Sequence, residues 1–324
     1  MKPVKLGILG CGIAAKDLHW PALKQLKDKF EIVMVCNHTV EKAKEFAQMA
    51  GNVPYVTDYK EVLANPQIEA VSILLPIHLN YEVTKEALDA GKHVIVEKPI
   101  AANMKEAEAM LGFEEKYKTI MTVAENFRYD PLNIKIKELL DSGSIGTPYS
   151  AFWDCFDLLE TSNKYAKTQW RIKHQYPGGF ITDGGVHNMA VFRDLFGEID
   201  SGKAITKSIN PELGEIDSMS FLFNTSQNVS CVFNYYFSSM GHQERKLKIL
   251  GTQGTMVVEG KNITIKKVNS PDYVETVQSE GGYKEEFENF YGAIRNGEKV
   301  KSTFLEAYKD LKALLDALEA AENL

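Results

Sequence analysis

The chain has 324 residues, of which 44% are hydrophobic and 25% charged, an ordinary globular composition with enough length for two domains. Its formal charge is −7, and no lysine or arginine block offsets it. That excludes a general nucleic-acid binder, because phosphate contacts need a basic face.

Residues 4–9 form a short apolar run, and Gly10-Cys11-Gly12-Ile13-Ala14-Ala15 follows at once. This is a G-x-G-x-x-A turn, in which Gly10 permits the tight bend, Gly12 lets a pyrophosphate approach the backbone and Ala15 permits close helix packing. The phosphate would meet the free N–H groups opening the next helix, whose amphipathic run carries Leu18, Leu23 and Leu26. A second apolar run, 32–36, ends at Asn37-His38-Thr39, where dinucleotide sites usually place an acid for the adenosine ribose. A neutral amide does not repel a 2′-phosphate, so the reading leans to NADP, with NAD as the alternative.

Residues 41–50 read as a helix, 53–56 as a short strand and 59–63 as a helical turn. Residues 70–75 are apolar almost throughout, as in a parallel strand buried on both faces. The loop that leaves it, through Leu75, Pro76, His78 and Asn80, should face the ligand crevice. A helix over 81–90 stops at Gly91, and a strand then delivers Glu97-Lys98-Pro99. Proline sets its own φ and keeps Lys98 out of a helix, so the lysine stands at the carboxyl end of a strand. Asn103 and Glu106 make a capping box for a helix over 104–117, and 119–123 is a further strand. The alternation defines a doubly wound α/β domain over residues 1–123.

Residues 124–324 change character. A helix over 132–140 is followed mainly by strands: 149–156, 219–223, 229–237, 247–250, 255–258 and 263–267. In 229–237, Cys231, Phe233, Tyr235 and Phe237 share one face while Ser230 and Asn234 take the other, which is period two. Short links such as 251–254 favour antiparallel neighbours, giving an α+β domain with one open, mostly antiparallel sheet. Its aromatic face is either the core side or a subunit interface, and a homodimer or homotetramer through this sheet is expected. A closing helix over 303–323 carries a stripe of Phe304, Tyr308, Leu311, Leu315 and Leu318.

The segment from Gly178 to His187 holds four glycines and then begins a helix through Met189, Phe192 and Leu195. Asp183 and His187 are four apart and so share a helix face. Histidine exchanges a proton readily near neutral pH, and a carboxylate beside it can orient and tune it. Upstream, Trp170-Arg171 offers a flat apolar surface and a fork of donors, suited to a polyol and equally common as an interdomain contact. Cys11, Cys36, Cys155 and Cys231 lie far apart, with no CxxC and no histidine at ligand spacing, so no metal site or disulfide framework is expected. With no apolar run near the roughly 18 residues of a membrane span and no signal-peptide pattern, the expectation is a soluble cytoplasmic protein.

Together, Gly10 to Ala15, Gly91 to Pro99, Glu125 to Pro131, Gly178 to His187 and the closing helices resemble the Gfo/Idh/MocA family of oxidoreductases, nearly end to end. The resemblance implies an N-terminal Rossmann domain, a C-terminal α+β domain, NAD or NADP, and hydride transfer at a CH-OH carbon of a sugar or cyclitol. It also implies that Lys98, Asp183 and His187 line the reacting hydroxyl, and that the Lys98-Pro99 bond is often cis. On this reading the cofactor contacts are Gly10, Gly12, Ile13, Ala14, Ala15, Asn37, His38, Leu75, Pro76, His78, Asn80, Glu97, Lys98 and Asn126. Arg128, Trp170 and Arg171 join Lys98, Asp183 and His187 around the substrate, and no metal is required. Two departures bear on cofactor and substrate preference: Ile77 and Asn80 stand where such proteins often carry Asn and His, and Asn37 replaces the usual acid. The rival readings are the same architecture acting on a dihydrodiol, bilin or imine, and a non-catalytic NAD(P)-binding regulator. A regulator would have no use for Lys98, Asp183 and His187 together.

Overall fold

The computed structural model describes residues 2–322. Packing divides them into two units, one running up to Asn126 and including Gly282–Lys309, the other comprising Phe127–Gly281 and the segment from Asp310 on. The sequence reading draws a single boundary after residue 123, whereas the chain returns to the first unit late. The cause is local chemistry: Phe287, Phe290 and Tyr291 of the helix Tyr283–Asn296 are buried in the first core, with ring centroids 5.5, 6.4 and 5.8 Å from Phe30.

In the first unit, β1 (Val4–Leu9), β2 (Phe30–Cys36), β3 (Tyr55–Val56), β4 (Ala70–Ile73), β5 (His93–Glu97) and β6 (Met121–Ala124) form a parallel sheet in the order β3-β2-β1-β4-β5-β6. The order reverses between β1 and β4, the switch point at which open α/β sheets bind ligands beyond their carboxyl strand ends. Every residue of β4 is buried, as a strand covered on both faces requires. Register then decides which side chains leave the sheet together. Leu9 lies beside Cys36 and Ile73, so Gly10 emerges at the crevice, and Glu97 lies beside Ala124, which brings Glu125 next to it. The predicted helix over 104–117 is two shorter ones, Met104–Leu111 and Phe113–Lys116, joined at Gly112.

In the second unit, β7 (Pro148–Phe156), β8 (Ile199–Lys207), β9 (Ser218–Thr225), β10 (Ser230–Tyr236), β11 (Glu244–Gly251), β12 (Gly254–Glu259), β13 (Asn262–Lys266) and β14 (Tyr273–Thr276) form one sheet, ordered β14-β13-β12-β11-β7-β10-β9-β8. All neighbours are antiparallel except β7 and β10. β8 and β14, the two edges, escape the sequence reading because their residues are mostly exposed and show no apolar alternation. The aromatic face of β10 is the core side. Phe192 of the helix Gly179–Phe196 meets Trp153, Phe223 and Phe233 with centroids 5.4, 5.0 and 5.8 Å apart. That helix starts at Gly179, before the point the sequence suggests, with Gly184 and Gly185 inside it. A Cβ on Gly184 would stand 2.1 Å from the Tyr235 hydroxyl, so glycine is what lets the helix lie on β10. In the closing helix Phe304–Glu322 the buried stripe runs through Leu314 rather than Leu315, as a 3.6-residue period from Phe304, Ala307 and Leu311 demands.

Candidate active site

The first unit supplies a dinucleotide turn. Gly10 has φ +103°, and a Cβ there would stand 2.2 Å from the Leu74 carbonyl oxygen, so no other residue fits. A Cβ on Gly12 would meet nothing within 4 Å, which leaves the space above this backbone open for a phosphate. Ala15 is fully buried, as close helix packing requires, and Ile13 and Ala14 are half-buried beside the opening. The turn is pinned from β2: the Asn37 Oδ1 accepts from the Cys11 N–H at 3.1 Å, and its Nδ2 donates to the Thr39 carbonyl at 3.2 Å. His38 is exposed next to it. The residues present therefore fit a nicotinamide dinucleotide.

Leu75, Pro76 and His78 line the half-buried loop after β4. Asn80 does not join them. Its side chain is closed off from solvent, and its Nδ2 donates to the Glu97 and Pro99 carbonyl oxygens, both at 2.8 Å. The sequence reading gives Asn80 a cofactor contact; the structure gives it the task of fixing the backbone on either side of Lys98. The Lys98-Pro99 bond is cis. Glu97 is held as well, its Oε1 lying 2.7 Å from the Nε2 of His19. His19 ends a widened helical turn, Ala15–His19, in which the Trp20 N–H reaches the Ala15 carbonyl five residues back. Asn126, after β6, is buried.

The second unit supplies the other candidate residues. Along Gly179–Phe196 all side chains and glycines are buried except Asp183, Gly184, His187 and Asp194. The first three form a window at one end of an otherwise dry helix. The His187 ring stacks on Phe127, with centroids 4.5 Å apart and planes 18° apart. The Asp183 Oδ2 accepts from the Arg171 Nε at 2.7 Å. The Arg171 guanidinium lies 4.0 Å from the Trp170 ring centroid and 5.2 Å from that of Tyr165, so Trp170, Arg171 and Asp183 are one assembly. Tyr176 is buried nearby, and loss of solvent, with the Asp183 charge second, raises its phenol well above the ordinary value.

Arg128 is a correction. It is expected to contact substrate, yet its side chain is buried and its Nη2 donates to both carboxylate oxygens of buried Asp310, at 2.8 and 2.7 Å. Arg193 binds the same carboxylate from the other side and also holds Glu198. Arg128 is committed to the interior.

Three buried residues of the first unit are not among the site residues expected from sequence: His19, Glu125 and Glu286. Glu286 follows another glutamate in the first turn of a helix, where paired acids look like solvated charges. The signal available was Phe287, next to it in sequence and fully buried. The four cysteines are free and buried, and burial pushes the thiols of Cys11, Cys155 and Cys231 up to about 12 and that of Cys36 to about 11.

Comparison with known proteins decides the family. Residues 4–125 match the oxidoreductase family with an NAD-binding Rossmann fold, and residues 133–257 match the GFO/IDH/MocA C-terminal domain. The chain belongs to the GFO/IDH/MocA oxidoreductases. An oxidoreductase from Thermotoga maritima has the same fold at a TM-score of 0.94 and 36% identity, over 99% of this chain and 97% of that one. The Saccharomyces cerevisiae protein YMR315W is 33% identical over 323 residues, 94% of this chain and 91% of the relative. The Bacillus subtilis scyllo-inositol 2-dehydrogenase (NADP(+)) IolW is 28% identical over 225 residues, 68% of this chain and 59% of its own. This GFO/IDH/MocA member is thus an NAD(P)-dependent dehydrogenase. Among the described residues no helix is long and apolar enough to cross a membrane.

Proposed function

We propose that this oxidoreductase interconverts a secondary alcohol, or a sugar's anomeric hydroxyl, and the matching carbonyl, on a sugar, sugar derivative or cyclitol. The observation that carries the reading is the window of Asp183, Gly184 and His187 in a helix otherwise buried. Burial elsewhere on that helix is explained by packing; a carboxylate and an imidazole left half-open together are explained by a ligand. A nicotinamide dinucleotide held at the Gly10–Ala15 turn would supply the hydride acceptor or donor. His187 takes the hydroxyl proton, Asp183 orients the substrate and the imidazole, and Lys98 donates to the oxygen as negative charge develops on it. The Trp170-Arg171-Asp183 assembly favours a polyol, since it fixes a guanidinium donor and a carboxylate acceptor side by side. The name of IolW supports a cyclitol or sugar in the same direction.

NADP is the preferred cofactor in this proposal, because Asn37 brings no charge against a 2′-phosphate. The open face of the second sheet, where Leu222 pairs with Val232 and Val232 with Phe152, suits a homodimer or homotetramer. Buried, free thiols accord with the cytoplasm.

Stopped-flow hydride transfer, read at the nicotinamide absorbance with a panel of aldoses, inositols and diols, tests the reaction. Turnover with an aldose or inositol is expected; turnover confined to dihydrodiols, bilins or imines would replace the substrate class, and none at all would favour a regulator. In fluorescence titrations NADPH should bind more tightly than NADH, and a tenfold advantage for NADH reverses the cofactor assignment. Light scattering on the eluted protein should give a multiple of the chain mass; a monomer refutes the assembly.

A further inference from the structure

His19 joins the dinucleotide turn to the strand end that presents Lys98, and a departure from regular helix puts it there. Pro21 opens the helix Trp20–Gln25. It has no N–H to give, and its ring crowds the carbonyl four residues back, so a regular α-turn running into it is disfavoured. The chain widens instead: Ala15–His19 is a π-turn, closed by the Trp20 N–H on the Ala15 carbonyl. Gly12, the glycine left open for a phosphate, starts the same run, its carbonyl accepting from the Lys16 N–H at 3.1 Å. At the other end the His19 Nε2 lies 2.7 Å from the Glu97 Oε1, with the two side chains 1% and 13% exposed. Tyr283 and Phe287 wall the imidazole, with centroids 5.9 and 5.4 Å away. A carboxylate only accepts, so Nε2 carries the hydrogen and Nδ1 keeps a lone pair, buried with no partner among the described residues. Were this space only to be filled, an apolar side chain would fill it without an unpaired nitrogen. The imidazole is kept for its bond to Glu97.

We infer that His19 is a positioning residue for Lys98, and that through it a pyrophosphate closing on the glycine turn sets the direction in which Lys98 leaves β5. Three holds define that direction. The Asn80 Nδ2 donates to the Glu97 and Pro99 carbonyl oxygens, both at 2.8 Å, and so fixes the backbone on either side of the lysine. The third hold is the His19 bond to the Glu97 carboxylate, and of the three it is the one that comes from the helical run begun at the glycine turn. A phosphate that draws the Gly12 backbone toward itself moves the first turn of this run, and His19 passes the movement to the residue before Lys98. This role rests on the reading of Lys98 as the donor to the reacting oxygen.

The test uses the full chain without substrate, so a failed substrate panel leaves it standing. Acylation of lysines by an amine-reactive reagent, followed by mass spectrometry of their peptides, reads Lys98 directly. Lys92 is the internal control, since it precedes β5 and is held by the Asn65 and Ile68 carbonyls. The probe is ADP, which carries the pyrophosphate but neither the second ribose nor the nicotinamide, at concentrations that displace NADPH fluorescence. ADP that does not displace NADPH removes the premise and the coupling with it. In the parent, ADP should change the Lys98 rate about threefold and leave Lys92 alone; an unmoved Lys98 refutes the coupling. His19→Gln sets an amide N–H where Nε2 stands and should keep both the Lys98 rate, within about twofold, and its response to ADP. His19→Leu fills the space without a donor, and should change the Lys98 rate about fivefold and abolish the response while NADPH still binds. A parent-like Lys98 in His19→Leu overturns the positioning role, and so does a change that Lys92 shares, which would mean a loosened unit. Should His19→Leu fail to fold, Glu97→Ala decides: it removes the same bond from the other side, and an ADP response that persists there overturns the inference.

Discussion

Asp310 in the second unit and Glu286 in the first are both almost wholly buried acids, and they are solved in opposite ways. Asp310 is gripped by two guanidinium groups, Arg128 and Arg193, so its charge is matched where it stands. Both carboxyl oxygens of Glu286 are buried with no hydrogen-bond partner among the described residues, and the charges of Glu97 and Glu125 bear on it. A matched buried ion is architecture, because nothing about it changes when a ligand arrives. An unmatched one is held with its proton.

The largest expected effect falls on the matched side. Arg193→Met removes one of the two guanidinium groups that grip Asp310 together with its contact to Glu198, and breaking such a buried ion pair should cost about 3 to 5 kcal/mol of stability in urea unfolding. Lys98 gives the reverse signature. Lys98→Met and His187→Asn should lose about 10² to 10³ in turnover, roughly 3 to 4 kcal/mol of barrier, while midpoint and NADPH affinity stay near the parent's. If Arg193→Met were neutral, or Lys98→Met unfolded the protein, the division between architecture and site would have to be redrawn.

The sequence makes that division only half legible. Gly10 to Ala15 and the strand 229–237 can be read because their signal is local: a fixed glycine spacing, and a period of two. Asp183 and His187 are legible for the same reason, being one helical turn apart. The Asp310 pairings are not, since they join residues 182 and 117 positions apart, and so Arg128 looks available for substrate. Asn80 misleads in a related way. A polar residue after a strand end reads as a ligand contact, and only the packed loop shows its amide turned back on Glu97 and Pro99. Glu286 is hidden because helix starts attract acids whether or not they are buried. Local pattern reveals elements and turns; whether a charge is matched depends on neighbours that the chain brings from far away.

Acid–base linkage sharpens the unmatched side. Because the folded carboxyl of Glu286 lies above its ordinary 4.5, the stability tied to its proton is complete below that value and drains as pH rises toward and through the folded one. The slope is at most about 1.4 kcal/mol per pH unit in that window. Glu286→Gln has no proton to lose, so relative to the parent it should gain stability from pH 5 upward, with the two curves converging below about pH 4.5. Parallel melting curves across that range would mean that Glu286 is charged after all.

Asn37 tests the smallest case, a buried side chain matched as both donor and acceptor. Its Oδ1 takes the Cys11 N–H and its Nδ2 serves the Thr39 carbonyl. Asn37→Asp keeps the first bond and strengthens it by charge, but it sets a carboxylate against the Thr39 carbonyl and against any 2′-phosphate bound beside it. The turn should survive, and the ratio of NADPH to NADH affinity should fall about tenfold in a fluorescence titration. If the ratio holds while both affinities drop, Asn37 serves the glycine turn alone, and the discrimination passes to the exposed His38 beside it.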